Sequence, residues 1–198
     1  MDDLPQHLGG HKNKTHLDEG TLDFLIKRYN IKSYLDIGCG PAGMVQLADS
    51  KGIDAHGIDG DSFVDRPNII KNKITIHDYT LGHSNLNLNV DLVWSVEFVE
   101  HVYEKYQEYY MKDFQRGKYV LMSFAPVGKK GHHHVNCNTE EYWIETFAKY
   151  GFSFDKETTK NIRENISTMG KAKPNKDTGE IKYSKAFVRQ NGLFFVKS

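Results

Sequence analysis

The stretch SYLDIGCGPAG, at residues 33–43, joins a short β-prone run to a glycine-rich turn and then to an apolar helical segment. Gly38, Gly40 and Gly43 allow the backbone to bend sharply or to lie directly against a ligand. A strand, a glycine turn and a helix N-terminus together form a nucleotide cradle at the carboxyl end of a parallel sheet. The stretch therefore predicts an α/β protein that holds a nucleotide-like ligand at this turn.

The carboxylate of Asp36, two positions before the first glycine, indicates what kind of ligand this is. A carboxylate beside the turn disfavours a pyrophosphate and suits a ligand with an ammonium and a sulfonium group, as S-adenosylmethionine has. Pro41 removes one N–H donor from the turn, a loss that a phosphate site tolerates less well. The residues therefore favour S-adenosylmethionine over a dinucleotide.

This stretch resembles motif I of the class I S-adenosylmethionine-dependent methyltransferases, which reads acid-x-Gly-x-Gly-x-Gly. Ala42 stands at the third glycine of that pattern, and Gly43 follows it. The resemblance implies a Rossmann-like, doubly wound, mainly parallel seven-stranded sheet, with the last strand antiparallel and helices on both faces. Strand and helix patterns alternate along the chain, as such a sheet requires, and residues 192–197 are predicted to be its last strand.

The chain of 198 residues is long enough for one sizeable core and short for two, so we expect a single methyltransferase domain over residues 1–198. Its 38% hydrophobic and 26% charged residues are typical of soluble globular proteins. No apolar run approaches the roughly 20 residues of a membrane span, no signal peptide is recognisable, and two cysteines give no disulfide framework. A cytoplasmic protein is therefore expected. Residues 1–16 are predicted to form a flexible N-terminal lid, and residues 170–182 a mobile loop.

Acids at the ends of two later strands extend the predicted cofactor site. Asp59 ends the second strand about 20 residues beyond the glycine turn, where a carboxylate commonly binds ribose hydroxyls. Asp78 follows the third strand, and the resemblance implies that it receives the adenine amino group. The full predicted cofactor-binding set is Asp36, Gly38, Gly40, Gly43, Asp59, Asp78 and Ser95.

A second group of chemically active side chains follows the fourth strand, in the segment SVEFVEHV at residues 95–102. Glu97, Glu100 and His101 have the spacing i, i+3 and i+4, so in a helix all three project from one face. Two carboxylates and an imidazole could bind a divalent cation there. We predict that these three residues are catalytic.

The pattern Glu-x-x-Glu-His at this place resembles two groups of O-methyltransferases, one acting on the terminal 2′-hydroxyl of small RNAs and one in ubiquinone synthesis. The former resemblance implies metal ligands from both glutamates and the histidine, with a further histidine after the fifth strand. A triple histidine, His132 to His134, lies there. Because neighbouring side chains of an extended segment alternate faces, His133 or His134 could complete the metal site. The predicted ion is Mg²⁺, Mn²⁺, Co²⁺ or Zn²⁺, and without a metal His101 or a loop histidine would be the general base.

The sequence predicts an S-adenosylmethionine-dependent O-methyltransferase, and two alternatives stay open: an NAD-binding oxidoreductase and a non-catalytic cofactor-binding subunit of a methyltransferase complex. The methyl acceptor is open as well. A net charge of +6 over residues 156–198 permits an RNA acceptor. Four aromatic residues permit a small ring, and a hydroxylated sugar is also possible; these residues are Trp94, Phe98, Tyr142 and Trp143. The sequence does not indicate an oligomeric state.

Overall fold

The computed structural model describes the backbone of residues 4–174 and 181–198, and the side chains of residues 4–170 and 185–198. The nine strands of this part of the chain are β1 (Ser33–Ile37), β2 (Asp54–Asp59), β3 (Ile74–Ile76), β4 (Val90–Ser95), β5 (Gly117–Ser123), β6 (Phe152–Phe154), β7 (Lys171–Pro174), β8 (Ile181–Ser184) and β9 (Gly192–Lys197). The α-helices are α1 (Glu19–Tyr29), α2 (Gly43–Ser50), α3 (Gln107–Phe114), α4 (Glu140–Lys149), α5 (Lys156–Asn161) and α6 (Phe187–Asn191).

Seven strands form one sheet in the order β3-β2-β1-β4-β5-β9-β6. Strands β1 to β5 pair in parallel, whereas β9 is antiparallel to both β5 and β6. This confirms the predicted doubly wound sheet with an antiparallel last strand. The strand order reverses at β1, which lies between β2 and β4, and sheets of this type bind ligands outside the carboxyl ends of the strands at such a point.

The core has two layers because the central strands bury both of their faces. Along β1 and β4, Tyr34 and Trp94 belong to the layer beside α1 and α2, whereas Leu35 and Val93 belong to the layer beside α3 and α4. Successive side chains of a strand point to opposite faces of the sheet. A strand buried in this way is nearly continuously apolar, as β4 is, and the sheet is held rigidly between the helices.

The segment in front of α1 contacts the glycine turn. Asp18 caps α1, since its side chain accepts a hydrogen bond from the Thr21 N–H at 3.2 Å. Thr15, three residues earlier, accepts a hydrogen bond from the Gly43 N–H at 3.1 Å. The segment of residues 4–16 is therefore fastened to the start of α2.

The segment after β4 does not form the helix that would place Glu97, Glu100 and His101 on one face. It forms two short 3₁₀ turns, Val99–His101 and Glu104–Tyr106, before α3 begins at Gln107. Glu97 has a positive φ of 58°, and Val102 is extended, so a regular helix cannot run through either residue. This break in the backbone keeps the three side chains from sharing one helix face, and the spacing of the residues in the sequence does not reveal it.

Two further segments bear on the predicted organisation. The expected mobile loop of residues 170–182 contains β7 and overlaps the start of β8, which pair as antiparallel strands, and residues 175–180 lie outside the described residues. Its mobility, like that of the N-terminal lid, stays a prediction. Within the described ranges, every helix is too short or too polar to cross a lipid bilayer.

Candidate functional site

A cavity of about 460 Å³ lies at the carboxyl ends of β1, β2 and β4. The strand ends and the glycine turn line its inner wall. Three other segments line its opening: residues 7–16, the loop of residues 129–134 after β5, and residues 185–187 at the start of α6. The cavity therefore occupies the position that the strand order favours for a ligand.

At Gly38 and Gly40 in the glycine turn, the cavity is lined by backbone without side chains. Gly38 has a φ of +76°, and a Cβ there would lie 2.6 Å from the ring of Phe98. Ala42 also has a positive φ, 63°, which explains why the resembling pattern carries glycine at this place. Gly38 and Cys39 donate their N–H groups to the Ile58 carbonyl at 2.9 and 3.2 Å, so the turn is pinned to the end of β2.

Asp36 lines the cavity from the end of β1 and is 4% exposed. Burial raises the pKa of its carboxyl group well above the usual range, and the negative charge of Asp59 raises it further. A cationic group in the cavity would reverse this shift, because it favours the ionised carboxylate. Asp36 is thus suited to a positively charged ligand.

Asp59 is held in place by a network of hydrogen bonds at the end of β2. Its carboxylate accepts from the N–H groups of Gly40 and Asp61, both at 2.8 Å, and from Arg66 Nη2 at 3.2 Å. Arg66 is almost completely buried and also donates from Nε to the Gly40 carbonyl at 2.8 Å. Arg66 was not predicted as a site residue, because it lies in a polar stretch without any periodicity. Since a carboxylate offers about four lone-pair positions, one position remains for a ligand hydroxyl.

Asp78 contacts the N-terminal segment. Its carboxylate accepts from the Thr80 N–H at 2.8 Å, and His7 Nε2 lies 2.7 Å from its other oxygen. Burial raises the pKa of Asp78, but the hydrogen bonds from His7 and Thr80 outweigh burial, and the pKa is lowered. In the same way, His11 Nε2 lies 3.1 Å from Asp61. Neither histidine was predicted as a site residue, because both lie in a segment interpreted as flexible.

Two predicted cofactor residues lie outside the cavity lining. Gly43 is covered by Thr15, and a Cβ at Gly43 would come within 2.7 Å of the Thr15 side chain. Ser95 is fully buried, and its hydroxyl donates to the Ile37 carbonyl at 2.9 Å, which ties β4 to β1. The other five predicted residues line the cavity; they are Asp36, Gly38, Gly40, Asp59 and Asp78.

Three of the five predicted metal ligands lie close together in the structure. Glu100, His101 and His134 each offer a ligand atom, and these atoms lie within 4.8 Å of one another. Glu100 is fully buried, and within the described residues neither of its carboxylate oxygens has a hydrogen-bond partner. An unpartnered carboxylate in the interior is costly unless something compensates its charge. The position of Glu100 therefore calls for a proton or a cation.

Burial controls the protonation of this group. It raises the pKa of Glu100 well above its usual range, and the neighbouring charge of Glu97 adds to the effect. Burial and, to a smaller extent, the charge of His134 lower the pKa of His101 to about 4. His101 is therefore neutral at physiological pH, which is the form in which an imidazole binds a metal ion.

The loop after β5 is fastened to this group by backbone hydrogen bonds. The N–H groups of Val135 and Asn136 donate to the Glu100 carbonyl at 2.9 and 3.2 Å. His134 Nδ1 lies 2.9 Å from the Lys129 carbonyl, and since a carbonyl can only accept, Nδ1 carries the proton. His134 Nε2 then has a free lone pair, and the bond to Lys129 fixes the ring as outer-shell partners of metal ligands do.

Two predicted ligands stand apart from the three that converge. Glu97 lines the cavity, and its N–H donates to the Ser123 hydroxyl at 3.0 Å. Its carboxyl group neighbours that of Glu100 but is not one of the three ligands whose atoms lie within 4.8 Å of one another. His133 has a φ of 44°, and its ring faces Tyr103 at a centroid distance of 5.5 Å. Its Nε2 is buried without a partner within the described residues. Among the three loop histidines, the structure thus brings His134 to Glu100 and His101.

Comparisons with known proteins establish the fold. No protein-family model and no curated protein matches this chain. Its structure is similar to the methyltransferase domain of bacterial CtHen1, with 18% identity, 90% of this chain and 96% of that chain covered, and a TM-score of 0.52. It is also similar to the magnesium protoporphyrin IX methyltransferase of Synechocystis with bound S-adenosylmethionine, with 16% identity, 89% and 76% coverage, and a TM-score of 0.54.

A third similar structure is a TehB-like S-adenosylmethionine-dependent methyltransferase from Corynebacterium glutamicum, with 15% identity, 90% of this chain and 88% of that chain covered, and a TM-score of 0.58. All three span nearly the whole of this chain. The chain therefore has the fold of the class I S-adenosylmethionine-dependent methyltransferases, as its glycine turn predicted. At these identities the likeness concerns the fold alone.

Proposed function

We propose that this chain is a methyltransferase that uses S-adenosylmethionine to methylate a hydroxyl oxygen, with a divalent cation held by Glu100, His101 and His134. The observation that carries the proposal is the buried carboxylate of Glu100, which makes no hydrogen bond within the described residues, has the like-charged Glu97 carboxylate acting on it, and offers a ligand atom within 4.8 Å of those of His101 and His134. The acid-lined cavity and the group of Glu100, His101 and His134 lie at the same edge of the sheet, because His101 and His134 also line the cavity. A methyl donor in the cavity and a cation at this group would therefore be close to each other.

The inner wall of the cavity fits S-adenosylmethionine by charge. Asp36, Asp59 and Asp78 lie at the carboxyl ends of three adjacent strands. When bound, the cofactor supplies an electrophilic methyl group on a sulfonium, and its positive charges favour a wall of carboxylates. Asp59 would orient the ribose through its free lone-pair position, and Asp78 would receive the adenine amino group after His7 has moved away.

The three converging residues fit a divalent cation by donor type. One carboxylate and two imidazoles favour Mn²⁺, Co²⁺ or Zn²⁺ over Mg²⁺, which prefers oxygen ligands. When bound, the cation would lower the pKa of an acceptor hydroxyl and so make it nucleophilic. Glu100 would give up its proton as the cation enters, whereas His101 is already neutral.

A mechanism in which His101 alone acts as the general base is less favourable. A general base works best when its pKa lies near the operating pH, and the pKa of His101 is lowered to about 4. Such a base holds a proton too weakly to take one from an alcohol. Activation of the acceptor by a cation is therefore favoured over proton abstraction by His101.

The test is an assay for S-adenosylhomocysteine release with a panel of hydroxylated acceptors, with and without a chelator. We expect chelation to reduce turnover by at least about a hundredfold, because a catalytic cation supplies several kcal/mol, and to leave cofactor affinity unchanged in calorimetry. Added Mn²⁺ should restore the wild type but not the variant Glu100→Gln. Glu104→Gln, which changes an exposed glutamate near the site, is the matched control.

The same experiment separates this function from its alternatives. Full turnover in the chelator would disprove the role of the cation while leaving the methyltransferase function intact. Cofactor binding without turnover on any acceptor, but with turnover once a partner protein is added, would indicate a non-catalytic subunit. Binding of NADH in place of S-adenosylhomocysteine, measured by ultraviolet difference spectroscopy, would indicate an oxidoreductase.

A further inference from the structure

Five lysines line the opening of the cavity, and they come from three separate segments of the chain. Lys12 and Lys14 lie on the N-terminal segment, Lys129 and Lys130 on the loop after β5, and Lys185 directly before α6. We call these five residues the rim lysines. All of them are exposed to solvent.

Among the side chains that the structure describes, no rim lysine forms an ion pair, although the charge of Lys129 acts to lower the pKa of the Glu97 carboxyl group, against the larger effect of burial. The lysines that do form ion pairs there are Lys51, Lys73 and Lys118, and they lie elsewhere on the surface. An exposed ammonium that forms no ion pair attracts an anionic ligand over a range of about 8 Å at physiological salt, beyond which the interaction is largely screened.

The three segments meet around one opening. Burial lowers the pKa of His16, and the positive charges of Lys185 and Lys14 lower it further, so these two lysines lie close to the same ring. That ring contacts Phe187 of α6 at a centroid distance of 5.1 Å. On the other side, a Cβ at Gly10 would lie 2.7 Å from the ring of His132. The rim lysines therefore surround the cavity instead of forming unrelated patches.

The charges of the cavity are separated by exposure, because its acids are buried or half-buried whereas its lysines are exposed. The acids that line it are Asp36, Asp59, Asp78 and Glu97, which lie at or just beyond the carboxyl ends of strands. The three segments at the opening contribute lysines and histidines to the lining but no acid. This arrangement fits two ligands of opposite charge, a cationic one against the inner wall and an anionic one at the opening.

We propose that the acceptor is a phosphorylated sugar, whose phosphate lies among the rim lysines while a hydroxyl reaches the group of Glu100, His101 and His134. This inference rests on the proposed function, since the cationic ligand of the inner wall is then the methyl donor. Lysines spread around an opening bind a phosphate as point charges and need no fixed geometry. A sugar also offers neighbouring hydroxyls, and a cation at Glu100 could bind two of them at once.

The phosphate could belong to a free sugar phosphate or to the end of a single-stranded RNA. Calorimetry on protein saturated with S-adenosylhomocysteine distinguishes these sources, with ribose 5-phosphate, ribose and an oligouridylate as the three probes. We expect at least one phosphorylated probe to bind at least tenfold more tightly than ribose. Its affinity should also fall as sodium chloride is raised, because screening weakens exposed charge interactions. Preference for the oligouridylate would assign the phosphate to RNA.

Two matched variants test the residues. Lys129→Gln combined with Lys130→Gln should weaken binding of the phosphorylated probe about threefold to tenfold, since exposed ion pairs contribute roughly 0.2–1 kcal/mol each. Lys149→Gln combined with Lys160→Gln, on α4 and α5 and outside the cavity lining, should leave binding unchanged. Neither pair should alter the affinity for S-adenosylhomocysteine.

The outcomes separate the two proposals. If S-adenosylhomocysteine binds but ribose binds as well as both phosphorylated probes, or if neither phosphorylated probe binds, the phosphate proposal is wrong and the methyltransferase function stands. Equal losses in the rim pair and the control pair would also overturn it, since they would indicate a general charge effect. If S-adenosylhomocysteine does not bind, the proposed function itself fails.

Discussion

Among the single residues of the site, Glu100 is the one whose ionised side chain is least compensated by its surroundings. It is fully buried, it lacks hydrogen-bond partners within the described residues, and burial raises its pKa well above the usual range. Because an unfolded chain leaves this carboxyl in water with an ordinary pKa, the folded state holds its proton more tightly. Glu100 therefore lowers the free energy of unfolding as the pH rises from its ordinary pKa towards its raised one.

The variant Glu100→Gln should not lose stability in this way as the pH rises, because a glutamine side chain does not ionise. In the presence of a chelator we expect it to unfold at a higher temperature than the wild type at pH 8 and at nearly the same temperature at pH 4.5. Each unit of pKa shift corresponds to about 1.4 kcal/mol, and each kcal/mol to about 2–4 °C in a domain of this size. Calorimetric melting at both pH values checks this.

Two results would contradict that prediction. A destabilised Glu100→Gln protein at pH 8 would mean that the ionised carboxylate is compensated by a partner in the metal-free fold. A stabilisation of equal size at pH 4.5 would mean that the effect is one of packing and not of charge. Glu104→Gln is again the control, because Glu104 is exposed.

At the scale of elements, the site depends on two segments that are neither helix nor strand. The N-terminal segment is fastened to the inner wall through His7 on Asp78 and through Thr15 on Gly43. The loop after β5 is fastened through the Glu100 carbonyl. Loops positioned on a rigid sheet commonly carry the function of α/β proteins, and here both loops meet above the cavity.

The N-terminal segment competes with the proposed cofactor for Asp78. We expect His7→Ala to bind S-adenosylhomocysteine more tightly than the wild type, by up to about tenfold, because a hydrogen bond to a charged group contributes about 1.5–3 kcal/mol and need not then be broken. Calorimetric titration measures this. His56→Ala is a matched control, since His56 forms a similar pair with Asp54 outside the cavity. Weaker binding by His7→Ala would instead make His7 part of the cofactor site.

In the molecule as a whole, the residues that line the candidate site and much of the packing that stabilises the fold lie in different parts of the sheet. The cavity lies at the carboxyl edge, whereas much of the aromatic packing lies away from it, as in the stack of Phe147 on Phe195 with centroids 4.4 Å apart. Both of these rings are fully buried. Changes in this packing should therefore affect folding without changing the site.

Phe147→Ala tests that separation. Removing a buried phenylalanine side chain costs about 3–5 kcal/mol, so denaturant unfolding should begin at a clearly lower concentration. The affinity for S-adenosylhomocysteine, measured under conditions where the variant is folded, should equal that of the wild type. A large loss of affinity in the folded variant would show that the core and the site are coupled.

The sequence by itself determined the sheet and the position of the cavity. The glycine turn, the alternation of strands and helices and the acids after the strands are local patterns, and backbone propensity and side-chain burial act locally on them. The doubly wound sheet with its antiparallel last strand, which the family resemblance implied, is present in the structure, and Asp36, Asp59 and Asp78 line one cavity. Parallel connections bring the carboxyl ends of such strands to one edge.

Which side chains meet depends on contacts between segments that are distant in sequence, and these contacts are visible only in the tertiary structure. The helical spacing of Glu97, Glu100 and His101 suggested one shared face, but a positive φ at Glu97 breaks the helix and leaves its carboxylate outside the group. The choice of His134 among three adjacent histidines follows from the Glu100 carbonyl and the Lys129 carbonyl, which are distant in sequence. The burial of Arg66 and the ring of rim lysines likewise depend on contacts between remote segments. No local pattern encodes these contacts, because they form only when the packed sheet brings separate loops together.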